Sequence, residues 1–333
     1  MIITKTPFRM SFFGGGTDKE AFFRQHGGAV LSTTFDKYCY VTVRHLPRFF
    51  EYTNEIVYSK LERVRDVNSI QHPAVREAMK YLHIHEIRLN YEADLPARSG
   101  LGTSSSFAVG MLNAFYALKG KYADKRKLAD EAIYLERVLC DEAGGWQDQI
   151  AASFGGFNRI NFNRDGSYEV LPIIISPDRK RLLDDHLMMF FTGFTHFSSE
   201  IQRENEKDED KIEEKLKMLS LVDEAEDILT NKDKNLDDFG LLLDETWKLK
   251  RQTGHVITTE EIDEFYERGK KAGALGGKLL GAGGGGFLIF YVPLEKQEEV
   301  RDALKELLYV PFHFENEGTR VLYYAPEEYV LPD

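Results

Sequence analysis

The sequence predicts a fold that mixes strands and helices, in two domains or one large one, and three observations carry that reading. At 333 residues the chain is longer than an ordinary single domain. β-Branched and aromatic runs are interspersed with segments whose apolar residues recur at helical spacing, from one end of the chain to the other. Near the middle, Pro177-Asp178-Arg179-Lys180 is a polar, proline-led break that divides the chain into 1–180 and 181–333.

Composition narrows the function classes. With 42% hydrophobic and 29% charged residues, the chain is ordinary for a soluble globular protein. A net charge of −12 argues against a nucleic-acid binder, whose affinity comes from a basic surface. It does not exclude an anionic small molecule, because a few local cations can outweigh a distant acidic surface. Cys39 and Cys140 belong to no closely spaced pair and read as buried free thiols of a cytosolic protein. The first ten residues carry Lys5 and Arg9 and lack the apolar core of a signal peptide. No apolar run approaches the roughly 20 residues of a membrane span. The expected setting is cytoplasmic, with neither nucleic acid nor membrane as partner.

Taken in order, residues 1–13 read as a strand that runs into Gly14-Gly15-Gly16-Thr17-Asp18. Asp18 stands where it could cap a helix over 19–23. Residues 29–46 read as one or two strands, 49–66 give weak strand signals, 74–81 a helix and 87–94 a strand. Pro96-Ala-Arg-Ser-Gly-Leu-Gly-Thr-Ser-Ser-Ser106 then leads into an apolar helix over 105–118. Two glycines and four hydroxyl residues at a helix entrance place free backbone N–H groups and the positive end of a helix dipole together, which suits an anion. The same pattern also fits a plain serine-capped helix. A helix over 124–140 follows, with Leu128, Ala132, Leu135 and Leu139 facing the core. Glu136 lies one residue from that stripe and, taken alone, reads as a surface carboxylate paired with Arg137 or a lysine.

Gly144-Gly145 turns the chain into a short helix, 146–153, on which Asp148 is flanked by two glutamines near apolar neighbours. Strands are expected at 157–163, 168–175 and 187–192. Helices are expected at 200–229, whose charged run reads as a solvated face, and at 236–253 and 259–272. Residues 276–286 pack seven glycines into eleven positions just before a strand over 287–292. A helix over 294–308 and strands at 310–314 and 319–325 close the chain. Residues 281–286 fit Gly-x-Gly-x-x-Gly, but a strand follows instead of a helix, so a dinucleotide fold is rejected. Neither glycine loop ends in Gly-Lys-Ser/Thr, and no His-Glu-x-x-His, paired-Cys or Gly-x-Ser-x-Gly motif is present.

The three glycine-rich segments and the Asp148 segment together resemble the GHMP kinase superfamily. Pro7–Asp18 is similar to its first motif, Pro96–Ser106 to its phosphate-binding second motif and Lys278–Gly286 to its third. Gly145-Trp-Gln-Asp-Gln149 resembles the segment that carries the catalytic aspartate in the sugar-kinase members. Phe13-Gly-Gly-Gly-Thr-Asp18 resembles the branch that phosphorylates anomeric hydroxyls, most of all the D-glycero-D-manno-heptose 7-phosphate kinases. An anomeric kinase for a free sugar such as fucose, a non-catalytic sugar and ATP sensor, and a mevalonate-type decarboxylase are the alternatives. Thr192–Ser199 resembles a further family segment, with His196 where an arginine is usual.

The resemblance implies an α+β fold of two domains, a ribosomal-S5-type N-terminal domain and a ferredoxin-like C-terminal domain, with the active site between them. It implies ATP and Mg²⁺ as cofactors and a sugar or sugar phosphate as substrate; a homodimer is left open. Arg98, Ser99, Gly100, Leu101, Gly102, Thr103, Ser104 and Ser105, with Gly283 and Gly284, would hold ATP. Ser104 and Glu136 would ligate the metal. Asp148 and Arg9 would be catalytic, Asp148 orienting the acceptor hydroxyl or taking its proton and Arg9 stabilising charge. Gly16, Thr17 and Asp18 would bind the sugar. Arg24, Lys37 and Arg98 are the cations considered for a distal phosphate.

Overall fold

The computed structural model describes residues 1–97, 99–193, 211–253, 257–281, 283 and 285–326. Two sheets organise it. The first has nine strands, and its core is a pair: β1 (Ile2–Phe13) runs antiparallel to β2 (Gly28–His45). β2 is a single strand of 18 residues. It borders β6 (Phe157–Phe162) along its first third and β5 (Ile87–Ala93) along its last. The weak signals at 49–66 become β3 (Asn54–Val57) and β4 (Leu61–Val64) at one edge. The β1–β2 register shifts between Pro7 and Phe8 and again between Ser11 and Phe13. Such irregularities re-aim the side chains beside them, and these two bracket Arg9 and Ser11.

Helix α3 (Thr103–Leu118) lies on this sheet and is buried at every position except Ser104 and Asn113. Its contact with β1 is close: Gly110 packs on Thr6, and the Thr4 hydroxyl donates to the Gly110 carbonyl at 2.9 Å. The expected helix over 124–140 is two pieces, α4 (Lys125–Tyr134) and a π-helical turn, Leu135–Leu139. Inserting one residue per turn rotates the following side chains and is a recurring device at functional sites; here it carries Glu136.

The second sheet has four antiparallel strands in the order β11 (Leu308–Tyr309), β8 (Leu187–Phe191), β10 (Phe287–Tyr291) and β9 (Gly276–Leu279). The glycine-rich segment, expected as a loop, therefore begins as a strand. Helices α7 (Ile212–Thr230), α8 (Asp237–Gln252) and α9 (Glu260–Lys271) accompany this sheet. The expected closing helix shrinks to Gln297–Ala303 after a 3₁₀ turn. The two halves share one core, in which Phe12 of β1 meets Phe239 of α8 edge-to-face at 5.4 Å between ring centres.

Residues 177–186 form a helix, α6, with Ser176 as its N-cap, and the chain changes sheets immediately after it. The last strands then return to the first sheet. β12 (Phe314–Glu315) pairs with β2, and β13 (Arg320–Tyr324) pairs with β1. Both cysteines are free thiols; Cys39 is buried and Cys140 only half-buried. Among the described residues, no helix is long and apolar enough to cross a membrane.

Candidate active site

The carboxyl-terminal part of β1, the glycine turn after it, α5 (Gln147–Phe154), α7, α8 and the end of β9 enclose a cleft. At its centre Arg9 grips Asp148 with two parallel bonds, Nε to Oδ1 at 2.7 Å and Nη2 to Oδ2 at 2.9 Å. The remaining arm of the fork, Nη1, donates to the Gly100 carbonyl at 2.8 Å. Fork-to-carboxylate geometry fixes both groups, and burial of Arg9 strengthens the pair. The couple lies against the phosphate-loop candidate: a Cβ at Gly102 would stand 3.4 Å from the Asp148 carboxylate.

That loop opens α3 with Gly102 as a left-handed N-cap and with no side-chain cap. The hydroxyls expected as caps are used elsewhere. Ser106 donates to the Pro7 carbonyl at 2.9 Å, and Ser104 and Ser105 bond Glu136 at 2.8 and 2.6 Å. An uncapped helix entrance keeps its first N–H groups available to a ligand. Of the other expected ATP contacts, Thr103 is buried in the first turn of α3, Leu101 is wholly in the core, and Ser99 is wholly buried beneath the third glycine segment. Arg98, Gly284 and His196 lie outside the described residues.

The third segment holds the second in shape. A Cβ on Gly100 would meet the Leu280 carbonyl oxygen at 2.4 Å, and one on Gly281 would meet the Gly100 Cα at 2.3 Å. The two backbones touch, and side chains at these positions would force them apart. Gly283, in the same segment, has a φ of +119°.

Glu136 is almost fully buried, contrary to its reading as a surface group. Besides the two serines, Gln149 Nε2 donates to it, and Arg137 stands 3.8 Å away. Ser104 is exposed, so the Ser104–Glu136 pair joins a solvent-facing hydroxyl to a buried carboxylate. That oxygen pair has the donor chemistry a hard cation prefers. Among the described residues, no three His, Cys, Asp or Glu side chains cluster as a metal site.

Asp18 faces the couple from the glycine turn. It caps no helix: the N-cap of α1 (Glu20–His26) is Lys19. Its Oδ1 accepts from the Gly16 N–H at 2.9 Å and its Oδ2 from the Gln147 N–H at 3.2 Å. Burial pushes its carboxyl above the ordinary range and Asp148 adds to this, while those N–H groups pull it back. Gly145 makes room for it, since a Cβ there would stand 1.8 Å from Oδ2. Gly16 lines the cleft, whereas Thr17 is fully buried, its hydroxyl spent on the Gly14 and Ala29 carbonyls.

Several cleft residues are not among the expected site residues. Lys250 and Lys278 reach it from α8 and β9, and Lys19, Arg137 and Lys215 also line it. Lys278 is almost fully buried, and its Nζ donates to the Phe12 carbonyl at 2.9 Å. Burial, with Lys250 and Arg9 nearby, holds its pKa well below that of an ordinary lysine. Burial and Arg9 bring Lys250 to about 8. Six basic side chains against two carboxylates make the cleft positive in a chain of net charge −12. Arg24 and Lys37 do not line it; they pair with Glu20 and Asp36.

Residues 68–156 match the GHMP kinases N terminal domain, and residues 225–310 match the GHMP kinases C terminal. The chain belongs to the GHMP kinases. It has their two-domain fold and is therefore a phosphotransferase of a family that uses ATP as donor. It is 29% identical to the D-glycero-alpha-D-manno-heptose 7-phosphate kinase of Campylobacter jejuni, over 96% of this chain and 98% of that one. It is 28% identical to the bifunctional fucokinase/GDP-fucose pyrophosphorylase of Arabidopsis thaliana, over 64% of this chain and 21% of that protein. Among solved structures, it resembles a D-glycero-D-manno-heptose 1-phosphate kinase from Bacteriodes thetaiotaomicron with a TM-score of 0.78. That match is at 22% identity and covers 97% of this chain and 99% of the other.

Proposed function

We propose that this GHMP kinase transfers the γ-phosphoryl group of ATP to the anomeric hydroxyl of a sugar phosphate, with D-glycero-D-manno-heptose 7-phosphate as the acceptor. The observation that carries the reading is the Arg9–Asp148 couple facing Asp18 across a cationic cleft. A kinase needs an anion to orient the acceptor hydroxyl and positive charge where the phosphoryl group moves. A phosphorylated acceptor brings further negative charge, which the lysines of this cleft suit. End-to-end similarity to a heptose 7-phosphate kinase supports the choice of sugar.

In this reading the open N-terminus of α3 and the backbone from Gly100 to Ser105 hold the ATP phosphates. Ser104 and Glu136 would hold Mg²⁺, which when bound neutralises phosphate charge. Asp148, fixed by Arg9, accepts a hydrogen bond from the anomeric hydroxyl and aims that oxygen at phosphorus. An anomeric hydroxyl is more acidic than an ordinary alcohol, so orientation matters more than a strong base. Asp18 and the Gly16 backbone take the neighbouring sugar hydroxyls.

The test is ADP release with ATP, Mg²⁺ and one acceptor at a time: heptose 7-phosphate, free heptose, fucose and mevalonate. Turnover of heptose 7-phosphate well above the others is expected. Turnover of a free sugar alone would remove the acceptor phosphate from the reading and favour the fucokinase-like alternative. Turnover of mevalonate alone would remove the sugar.

A further inference from the structure

Arg9 has little left to offer a phosphoryl group. Three of its nitrogens are engaged by Asp148 and the Gly100 carbonyl. Only two of its five N–H donors remain, and α8 brings a second cation close to the couple. Lys250 lies in the last turn of that helix, where a lysine commonly answers the carbonyl end of the dipole. This one does not: Thr253 N–H and its hydroxyl cap the Lys250 carbonyl at 3.0 and 2.8 Å, while the ammonium leaves the helix and enters the cleft.

There Lys250 Nζ donates to the Gly281 carbonyl and, at 3.4 Å, to that of Leu279. Gly281 is the residue whose backbone touches Gly100 of the phosphate loop. The lysine is thus tethered where the third glycine segment meets the second. No carboxylate lies within 4.0 Å of Lys250 or Lys278 among the described residues. Lys250 is partly buried, has only carbonyl partners at hydrogen-bond distance, and feels Asp18 only across the cleft, so its charge is incompletely compensated and is held at a cost. An arriving anion offsets that cost.

We infer that Lys250 is a further catalytic residue, whose ammonium contacts the phosphoryl group in flight between ATP and the acceptor. The acceptor oxygen forms the new bond to phosphorus as the bond to the ADP oxygen breaks. The hydroxyl proton goes to Asp148 or to water, and Lys250 keeps its protons throughout. Lys278, bound to the backbone of β1, positions the site by holding that strand against β9. The inference rests on the kinase reading of the cleft and not on which sugar it accepts.

Lys250→Met and Lys250→Arg test it in the full chain. The probe is ADP with aluminium fluoride and Mg²⁺, a mimic of the transferring group that needs no sugar. Lys250→Met should bind ADP as the wild type does, and should lose at least about tenfold of the tightening that fluoride produces. With any acceptor the wild type turns over, its kcat should fall about 10²- to 10³-fold at nearly constant acceptor KM. Lys250→Arg should recover much of both, and it carries the test by itself if the methionine variant does not fold. Full fluoride tightening in Lys250→Met would overturn the inference. So would a raised KM confined to phosphorylated acceptors, which would assign the lysine to the acceptor's own phosphate. Wild type inactive on every sugar would sink the proposed acceptor, while the fluoride measurement would still decide Lys250.

Discussion

Asp18 and Asp148 face one cleft and are held in opposite ways. Asp148 is partly exposed and locked to Arg9 through both oxygens. Asp18 is buried, answered by two backbone N–H groups and by no cation at hydrogen-bond distance among the described residues. A bidentate charge pair holds its carboxylate pointed in one direction. A carboxylate held only by backbone dipoles has charge to spare for a ligand's hydroxyl groups. In the proposed reaction the same side chain would serve orientation at one position and recognition at the other, and the difference lies in what surrounds it.

Substitutions can break this contrast. Asp148→Asn keeps the shape and removes the charge that Arg9 answers; kcat should drop about a thousandfold while ATP binding holds, as single-turnover rates and equilibrium titration would show. Arg9→Met frees Asp148 without touching it. Its kcat should fall about a hundredfold, and if turnover instead stayed normal, Asp148 would not need the fork. Gly145→Ala pushes a methyl group into Asp18 and leaves the Arg9 couple alone, so acceptor KM should rise about tenfold with a much smaller change in kcat.

The smallest effect is in pH. Because burial and Asp148 raise the Asp18 carboxyl, it takes up a proton at higher pH than an ordinary aspartate. Protonation removes its negative charge, so acceptor KM should climb as pH falls, starting above the usual carboxylate range. The climb should be absent in Asp18→Asn; a climb retained there would trace to another group.

Much of this was legible in the sequence because glycine records backbone contact. Gly100, Gly145 and Gly281 each stand where a side chain would collide with a partner far away in the chain, and their clustering marks the segments that meet. Asp148 stands out beside Gly144-Gly145 and Asp18 after Gly14–Gly16, while Arg9 comes only from the family resemblance. Lys250 was not legible: in a charged amphipathic helix it looks like any solvated lysine, and only the packing of α8 on β9 turns it inward. Glu136 was misread in isolation for a similar reason. The π-helical turn that aims it leaves no mark in apolar periodicity. Thr17, which looked like a sugar contact from its place in the motif, shapes the turn through Gly14 and Ala29 instead.

The pairing of β13 with β1 bears on how the chain folds. β1 carries Arg9, yet its neighbour on one side, Arg320–Tyr324, lies more than 300 residues further along the chain. The Met1 nitrogen donates to the Ala325 carbonyl, and the Ala325 N–H donates to the Met1 carbonyl. Until Arg320–Tyr324 pairs with it, that edge of the first sheet stays open, and an open strand edge invites wrong partners. Closing it is the slowest kind of contact, one that spans nearly the whole chain. The strand that carries Arg9 therefore completes its pairing only through a contact of very long range.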